Sequence, residues 1–454
     1  MEFLIMYMIT IRFSAFLFLF NLFFASTASS QDAISLRSAI DSTLKNNLQI
    51  RKARYQAALT DQDVLQSKMN LLPSLGASAG GRISGGNYFD EKTGKVGNTT
   101  NKSVDGSLNL SVTLFQGFQR ISQIKANKLL LQSDRSYVEQ IEYELVLQVF
   151  TTYIEALTHK ALWSASEQQL DLSEEQLRAE EVQLEVGNRT SADVSQAKSQ
   201  VATDQLNITT SRNDYQLSLL TLKQLMEMDS EKEIILESPD VDEIEKVMTQ
   251  YTATNVFEKA LDFFPEVRMA EFRTLAAEKD VDIARGRYFP TLSLSSGLST
   301  GYTSSYLDQN ALVFPFRQQL RDNYSRYIGL SLSIPIFNNL SSRIGVRKAK
   351  IIYENTKVAE KQTKNNLNKI VNQAILDFNA AKQQYESSEE VFISTSETFK
   401  VFQERYQVGL ANSIELNTAQ TNMNKAEFDF INSKYNLLYR SKVIDYYLGN
   451  TIEL

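Results

Sequence analysis

The sequence of 454 residues has no cysteine and a single histidine, His159. Without cysteine there are no disulfides, no thiolate metal sites and no N-terminal cysteine that could carry a lipid anchor. A single histidine leaves almost no side chains for the usual acid–base and metal chemistry, and His159 lies in a helical-looking stretch. We therefore expect no catalytic site, no cofactor and no lipidation.

Proline and glycine are also scarce, and positive charge is not in excess. Only 6 prolines and 17 glycines occur, so long stretches contain nothing that would interrupt a helix. The chain has 47 Lys and Arg against 54 Asp and Glu, a net charge of -7. This balance leaves no basic surface for nucleic acid, and we exclude a nucleic-acid partner.

Long apolar runs are absent except near the N-terminus. Residues 13–24 are apolar, follow Arg12, and precede the small residues of 25–30. This order is typical of a cleavable secretory signal peptide, which we place at 1–30. No later stretch reaches the roughly 18 apolar residues of a membrane-spanning helix. If the exported protein meets a membrane, we expect it to do so with strands.

The sequence repeats itself once. Phe115 and Phe337 are 337 − 115 = 222 positions apart, and Gly187 and Gly409 are 409 − 187 = 222 positions apart. Because the landmarks keep one order, we infer a tandem duplication. The predicted organisation is a signal peptide at 1–30, repeat 1 at 31–228, an acidic linker outside the main helices at 229–252, repeat 2 at 253–449, and a short tail at 450–454.

Both repeats follow one plan. A helix (34–72 or 255–289) ends at a proline, Pro73 or Pro290, which starts a strand pair. A very long helix comes next, turns back at Gly187 or Gly409, and is followed by another helix. At 1.5 Å per residue each long helix is about 100 Å long, with the narrow apolar stripe of a coiled coil. The predicted strand pairs are 74–84 with 106–115 and 291–301 with 327–337, and the predicted long helices are 118–184 and 338–406.

The strands alternate between apolar and small polar residues. In 107–114, every second residue is Leu or Val and the others are Ser, Asn or Thr. A half-buried soluble sheet shows the same pattern. Export, a strand length of about ten residues and aromatic residues at the strand ends instead favour a membrane β-barrel. Since four strands leave open edges that lipid does not tolerate, three chains would have to share a barrel of twelve strands.

The sequence resembles the outer-membrane efflux protein family, the TolC-like channel-tunnels. The resemblance rests on LSVTLFQG (110–117), LSIPIFNN (332–339), VGNRTSADV (186–194), VGLANSIEL (408–416) and the two prolines, and it spans essentially the whole mature chain. It implies an α+β membrane protein, with long helical hairpins in a periplasmic α-barrel and a trimeric 12-stranded β-barrel in the outer membrane of a Gram-negative bacterium. The partners it implies are two further copies in a homotrimer, a periplasmic adaptor protein, an inner-membrane pump or ABC transporter, and outer-membrane lipid.

The same resemblance implies how the periplasmic tip is closed. The family's tyrosine and aspartate match Tyr406 and Asp193, so we expect a hydrogen bond between them. The family's arginine position is occupied by Ala411, and Arg189 is the candidate to replace it. Asp193 also fits a second role, as a cap at the start of a helix.

The family's aspartate ring at the aperture matches Glu415 and Thr418, of which only Glu415 is acidic. Three copies of Glu415 would form a carboxylate ring that favours cations. The alternative is that Glu415 lies on an ordinary solvated helix face, and the sequence does not separate the two.

We therefore expect a passive exit duct of a tripartite efflux or type I secretion system, gated at its tip. The alternative is a coiled-coil scaffold of the periplasm or cell envelope, which explains the helices but gives the strands no purpose. An exported hydrolase is disfavoured because no nucleophile elbow, metal cluster or histidine relay is present. The sequence does not indicate the cargo, the adaptor or the pump.

Overall fold

A computed structural model describes residues 33–90, 94–238, 252–308 and 312–452. The predicted signal peptide and most of the predicted linker lie outside these residues. Each of the two long helices begins close to a strand of a four-stranded sheet, passes a small helical region near its middle and ends in a hairpin turn. The helices are α1 Leu36–Asn46, α2 Leu48–Met69, α3 Gln119–Glu185, α4 Ser191–Leu225, α5 Ala253–Phe263, α6 Pro265–Gly286, α7 Phe316–Asp322, α8 Ser341–Gln407 and α9 Ser413–Leu448, and the strands are β1 Ser74–Asp90, β2 Lys95–Gln116, β3 Thr291–Thr303 and β4 Ser325–Ser333.

The duplication predicted from the sequence is present in the structure at the same offset. The two long helices, α3 and α8, contain 67 residues each, and 341 − 119 = 407 − 185 = 222. Phe118 and Leu340, also 222 apart, hold the left-handed conformation immediately before these helices, with φ of 58° and 61°. Non-glycine residues seldom adopt this conformation, so its recurrence shows that one strand-to-helix corner was copied.

A pair of serine contacts repeats in the same way. The hydroxyl of Ser211 on α4 donates to that of Ser166 on α3 at 3.3 Å. The hydroxyls of Ser388 on α8 and Ser433 on α9 are 2.5 Å apart. Each pair joins the two helices of one hairpin at the same height, since 388 − 166 = 433 − 211 = 222. Small residues at these positions allow the helices to approach closely.

The single first helix predicted for each repeat is wrong, because each is broken into two. In repeat 1, Asn47 takes an extended conformation between α1 and α2, and its side chain accepts from the Gln49 N–H and donates to the Leu225 carbonyl. In repeat 2, the break falls at Phe264, which precedes Pro265. Proline disfavours a helical conformation in the residue before it, and this signal was present in the sequence.

The four strands form one antiparallel sheet in the order β1-β2-β3-β4. One face has serine pairs joined across strands, such as Ser78 with Ser107 at 2.8 Å and Ser299 with Ser325 at 2.7 Å. The other face carries exposed aliphatic residues, including Leu75, Ile328 and Leu330. Within the described residues, no strand pairs with the outer edge of β1 or of β4.

The predicted strand bounds need several corrections, among them that β3 ends at Thr303 rather than at 301 and that β4 begins at Ser325 rather than at 327. The first hairpin is longer than predicted, since β1 and β2 contain 17 and 22 residues and pair from Ser74 with Ser111 to Asp90 with Lys95. Strand β4 stops at Ser333, four residues before the predicted end. Pro335 follows, and it has no N–H to donate to a neighbouring strand.

Short helix α7 takes the place of a longer β4 beside the end of β3. The Gln319 side chain accepts from the Thr303 N–H at 2.9 Å and donates to the Thr303 carbonyl at 3.0 Å. Asn323 donates to the Gly301 carbonyl at 3.0 Å. These side-chain amides satisfy backbone groups that a neighbouring strand would otherwise bind.

The main hydrophobic core lies where the hairpins meet the short helices α1 and α5. Its centre is Tyr153 on α3, which is 1% exposed and whose hydroxyl is 2.9 Å from the Ile34 carbonyl and 2.7 Å from the Glu237 carbonyl. The described part of the predicted linker, 229–238, is not helical, and its Leu236 pairs with Ile34 in a parallel bridge. Among the described helices, none is long and apolar enough to cross a membrane.

Candidate functional site

The candidate site is the tip formed by the ends of the two hairpins. Gly187 and Gly409 both have φ of +79°, the left-handed conformation predicted from the sequence. In each turn, the glycine N–H donates to a carbonyl three residues back, and the next N–H donates to one five residues back. These are two Schellman motifs, which end α3 and α8 in the same way.

Both return helices start with a capping box. In α4, the Thr190 hydroxyl caps the Asp193 N–H, while the Asp193 carboxylate accepts from the Thr190 N–H at 2.9 Å. In α9, the Asn412 side chain caps the Glu415 N–H, and the Glu415 carboxylate accepts from the Asn412 N–H at 3.0 Å. Two residues predicted for the gate therefore also hold the ends of their own helices.

Arg189 joins the two hairpins. It lies in the turn of repeat 1 and donates to the Tyr406 carbonyl in repeat 2 at 2.9 Å. Its guanidinium carbon is 3.9 Å from the centre of the Tyr406 ring, and its Nε is 3.6 Å from the Glu180 carboxylate. One side chain thus makes a cation–π contact, a hydrogen bond and an ion pair, which we call the Arg189 link.

The predicted hydrogen bond between Tyr406 and Asp193 is not formed in this structure. The Tyr406 hydroxyl is buried and faces the Glu180 carboxylate, but it makes no hydrogen bond of good geometry among the described residues. The Asp193 carboxylate is instead engaged by Thr190 in the capping box. Burial raises the pKa of the Tyr406 hydroxyl, and the nearby Glu180 carboxylate raises it further. The hydroxyl therefore stays protonated and remains a hydrogen-bond donor.

Asp193 nevertheless faces repeat 2. The Ser413 hydroxyl at the start of α9 lowers the pKa of Asp193 most, followed by the Thr190 N–H, and Arg189 contributes as well. The carboxylate is thus held ionised between the two hairpins. Repeat 1 contacts repeat 2 at the tip through Asp193 with Ser413 and through Arg189 with Tyr406.

The two residues matched to the family's aperture ring are exposed on α9. Glu415 is exposed beside its capping-box partner, and the Thr418 hydroxyl donates to the Ile414 carbonyl of its own helix at 2.7 Å. Ala411, in contrast, is buried against Tyr406 and Leu416. The small side chain at position 411 belongs to the packing of the tip, and the arginine that contacts Tyr406, Arg189, lies in repeat 1.

A set of buried polar residues was missed in the sequence. Glu180 on α3 is 4% exposed and Gln420 on α9 is 1% exposed. The Glu180 Oε2 and both polar atoms of the Gln420 amide have no hydrogen-bond partner among the described residues. A signal existed in α3, where the buried positions change from apolar to polar toward the tip. The polar positions are Ser166, Gln169, Ser173 and Glu180.

A groove of about 570 Å³ lies at the same tip. Both hairpins line it, with Gln183 and Arg189 from repeat 1 and Gln403 and Tyr406 from repeat 2. The neighbouring side chains of Val186 and Val408 are 63% and 70% exposed. The tip thus presents a mixed apolar and polar surface together with the Arg189 link.

At the other end of the long helices, next to the sheet, Pro73 and Pro290 immediately precede β1 and β3, as predicted. Among the described residues, no group of three or more His, Cys, Asp or Glu side chains is placed to hold a metal ion. His159 is hydrogen-bonded through Nδ1 to the Ser218 hydroxyl at 2.8 Å. The residues predicted for the site therefore divide between a gate-like tip and the strand corners.

Comparison with known proteins gives matches over almost the whole chain. The family model described as "Outer membrane efflux protein" matches residues 39–226 and 256–450, one segment in each repeat. The chain is 20% identical over 410 residues to "Toxin and drug export protein A" of Aggregatibacter actinomycetemcomitans, covering 90% of this chain and 85% of that protein. It is 21% identical over 450 residues to "Outer membrane protein TolC" of Escherichia coli K12, covering 96% and 86%.

The fold is also similar to solved structures. The crystal structure of the Campylobacter jejuni CmeC outer membrane channel aligns with a TM-score of 0.76 at 18% identity, covering 92% of this chain and 86% of that one. The α+β arrangement of long helical hairpins and four strands predicted from the sequence is therefore confirmed.

Proposed function

The chain belongs to the outer membrane efflux protein family, and from this premise we propose that it is the outer-membrane exit duct of a tripartite export system. The predicted membership is thereby confirmed. In this proposal the sheet contributes to a barrel in the outer membrane, and the helical hairpins extend into the periplasm. The relatives named above are described as an export protein and an outer membrane protein. Family members are channels rather than enzymes, and we propose no catalytic activity for this chain.

The observation that carries the proposal is the open sheet. Its apolar face is exposed, with Leu75 at 71%, Ile328 at 76% and Leu330 at 65%, and both of its edges lack a strand partner within the described residues. In lipid, such edges must be paired, so further copies of the chain have to complete the barrel. Three copies supply twelve strands, enough for a water-filled interior, whereas two supply eight, whose interior is filled by side chains.

For the closed state, we propose that the Arg189 link holds the tip. Arg189 replaces the arginine that is missing at position 411, but it reaches Tyr406 from the opposite repeat. Opening the tip requires the two hairpins to separate, which breaks both contacts of Arg189 with Tyr406, whereas the ion pair with Glu180 lies within repeat 1. In this proposal an inner-membrane pump or ABC transporter, acting through an adaptor protein, supplies the energy, because the sequence contains no phosphate-binding glycine loop.

The first experiment is to extract the mature protein from outer membranes in mild detergent and measure its mass before and after heating. We expect a detergent-dependent species near three times the chain mass that dissociates into single chains. The same material should form ion-conducting pores in a planar lipid bilayer. A water-soluble monomer or dimer without conductance would contradict the channel and support the scaffold alternative.

The gate is tested by the conductance of variants in the same bilayer. Arg189→Ala should raise the conductance, since it removes both contacts with Tyr406 and leaves Glu180 without its cation. Tyr406→Phe should raise it less, since it removes only the hydroxyl that faces Glu180 and keeps the ring and carbonyl contacts of Arg189. Lys198→Ala is the matched control, because Lys198 forms an exposed ion pair with Glu181 on the same hairpin at 3.2 Å. If Arg189→Ala conducts like the control, the Arg189 link does not hold the tip closed.

A further inference from the structure

A small polar cavity lies inside the tip, behind the Arg189 link. It has a volume of about 10 Å³ and is lined by residues of both hairpins. Repeat 1 contributes Glu180, and repeat 2 contributes Tyr406, Asn417 and Gln420. A cavity of roughly this size is at the lower limit for a single water molecule.

Five of the polar atoms around this cavity make no hydrogen bond of good geometry within the described residues. They are Glu180 Oε2, which has only its ion pair with Arg189 at 3.6 Å, the Tyr406 hydroxyl, which faces Glu180, Asn417 Oδ1, and Oε1 and Nε2 of Gln420. All are already buried within one chain, so a neighbouring copy in an assembly does not reach them. A buried polar atom without a hydrogen bond costs about 1–3 kcal/mol, and native proteins seldom leave several together.

The chemistry of these atoms matches one ligand. The Tyr406 O–H and the Gln420 N–H are two donors, and Glu180, Asn417 and Gln420 supply acceptors. A water molecule accepts two hydrogen bonds and donates two. A metal cation is disfavoured because the Arg189 guanidinium already neutralises Glu180, at 3.6 Å.

We propose that this cavity is a binding site for one ordered water molecule, which joins Glu180 of repeat 1 to Tyr406 and Gln420 of repeat 2. The water accepts from the Tyr406 hydroxyl and the Gln420 amide and donates to Glu180 and one of the two amide oxygens. It takes the place of the direct hydrogen bond that Tyr406 does not make to Asp193. The proposal concerns the closed tip and does not depend on conduction.

The decisive variant is Gln420→Met, which keeps the length of the side chain and removes both amide atoms. If water is bound, methionine displaces it, so that the Tyr406 hydroxyl and Glu180 Oε2 lose their hydrogen bonds to it and Glu180 keeps only its ion pair with Arg189, and the tip opens more readily. If the cavity is dry, the same change removes two unpaired polar atoms and closes the tip more tightly. Whether the tip of Gln420→Met opens more or less readily than that of the wild type therefore distinguishes a water-filled cavity from a dry one.

The measurement is amide hydrogen exchange of residues 400–420 in the purified full-length protein in detergent. We expect exchange in Gln420→Met to be roughly five- to tenfold faster than in the wild type, since local opening sets the exchange rate. Gln383→Met, an exposed change on α8, is the matched control and should leave the rate unchanged. Slower exchange in Gln420→Met would overturn the proposal.

A crystal structure of the wild-type protein provides an independent test that does not rely on the variant folding. We expect one density peak in the cavity at about 2.6–3.2 Å from Glu180, Tyr406 and Gln420. An empty cavity would overturn the proposal. So would a peak with the short contacts and higher coordination of a metal ion.

Discussion

The buried stripe of α3 changes character along its length. Near the short helices it consists of Leu145, Val149, Tyr153 and Leu157, all at most 1% exposed, whereas toward the tip it consists of Ser166, Gln169, Ser173 and Glu180. We call these the apolar half and the polar half. The same helix, with similar burial, thus packs by two different kinds of contact.

The difference indicates which half can come apart. Separating the apolar half from the helices packed on it exposes hydrocarbon to water, at a free-energy cost of about 25 cal/mol per Å² of apolar surface. Separating the polar half exposes hydroxyl, amide and carboxylate groups, which water hydrogen-bonds in place of the protein. The fold therefore combines a permanent junction near the short helices with a tip where opening exposes mainly polar groups of α3 to water.

The largest effect is expected from a cavity in the apolar half. Tyr153→Ala removes a buried ring and its hydroxyl contacts with the Ile34 and Glu237 carbonyls, so it should cost about 3–5 kcal/mol of unfolding free energy. The loss should appear as a lower temperature of thermal unfolding, followed by circular dichroism. Tyr55→Ala, whose side chain is 64% exposed, is the control. Equal effects of the two variants would contradict the assignment of Tyr153 to the permanent junction.

The next largest effect is expected from the Arg189 link. Arg189→Ala leaves Glu180 buried without its cation, and because Arg189 is itself partly exposed we expect a cost of about 2–3 kcal/mol. The cost should be local, so that hydrogen exchange accelerates at the tip while the thermal unfolding of the whole protein barely changes. Arg189→Lys should recover only part of the loss, because lysine keeps the charge without the planar group. A fall in global unfolding temperature as large as that of Tyr153→Ala would remove the distinction between the halves.

Asp193 should have a smaller and pH-dependent effect. Asp193→Ala removes half of the capping box, at a cost of about 1 kcal/mol to the start of α4. In the wild type the pKa of Asp193 is lowered from its ordinary value of 3.8, so its stabilisation is complete above pH 3.8 and is lost as the pH falls through the lowered pKa. Hydrogen exchange at the tip, measured from neutral to acidic pH, should therefore converge for wild type and variant at low pH. A constant difference across this range would show that the charge of Asp193 has no part in the effect.

The smallest effect is expected where both members of a polar pair are removed together. In Ser388→Ala with Ser433→Ala, each lost hydroxyl also bonds to a carbonyl of its own helix, so no buried group is left unpaired. We expect a change within about 0.5 kcal/mol, measured by thermal unfolding, because replacing both partners of a hydrogen bond by apolar groups is nearly neutral. The single variant Ser388→Ala is the comparison. A loss above that of Asp193→Ala would mean that the serine pair itself holds the hairpin together.

Much of the fold was predictable because its signals are local. The lengths of α3 and α8, the corners at Pro73 and Pro290 and the turns at Gly187 and Gly409 all follow from scarce prolines and glycines at repeated spacings. The break before Pro265 was equally local and was missed. The break at Asn47 was not local, because its side chain donates to the carbonyl of Leu225, 178 positions away.

The sequence by itself determined the duplication, the order of helices and strands, and the turns, since each depends on neighbouring residues or on alternation within one element. The tertiary structure decided which repeated positions face each other. Gln420 and Lys198 occupy the same position of the two repeats, since 420 − 198 = 222, yet Gln420 is buried and Lys198 is exposed. Arg189 contacts Tyr406 across 217 positions. The two hairpins have the same local sequence pattern, but different residues pack against them. Burial depends on those packed residues, which only the tertiary structure brings together.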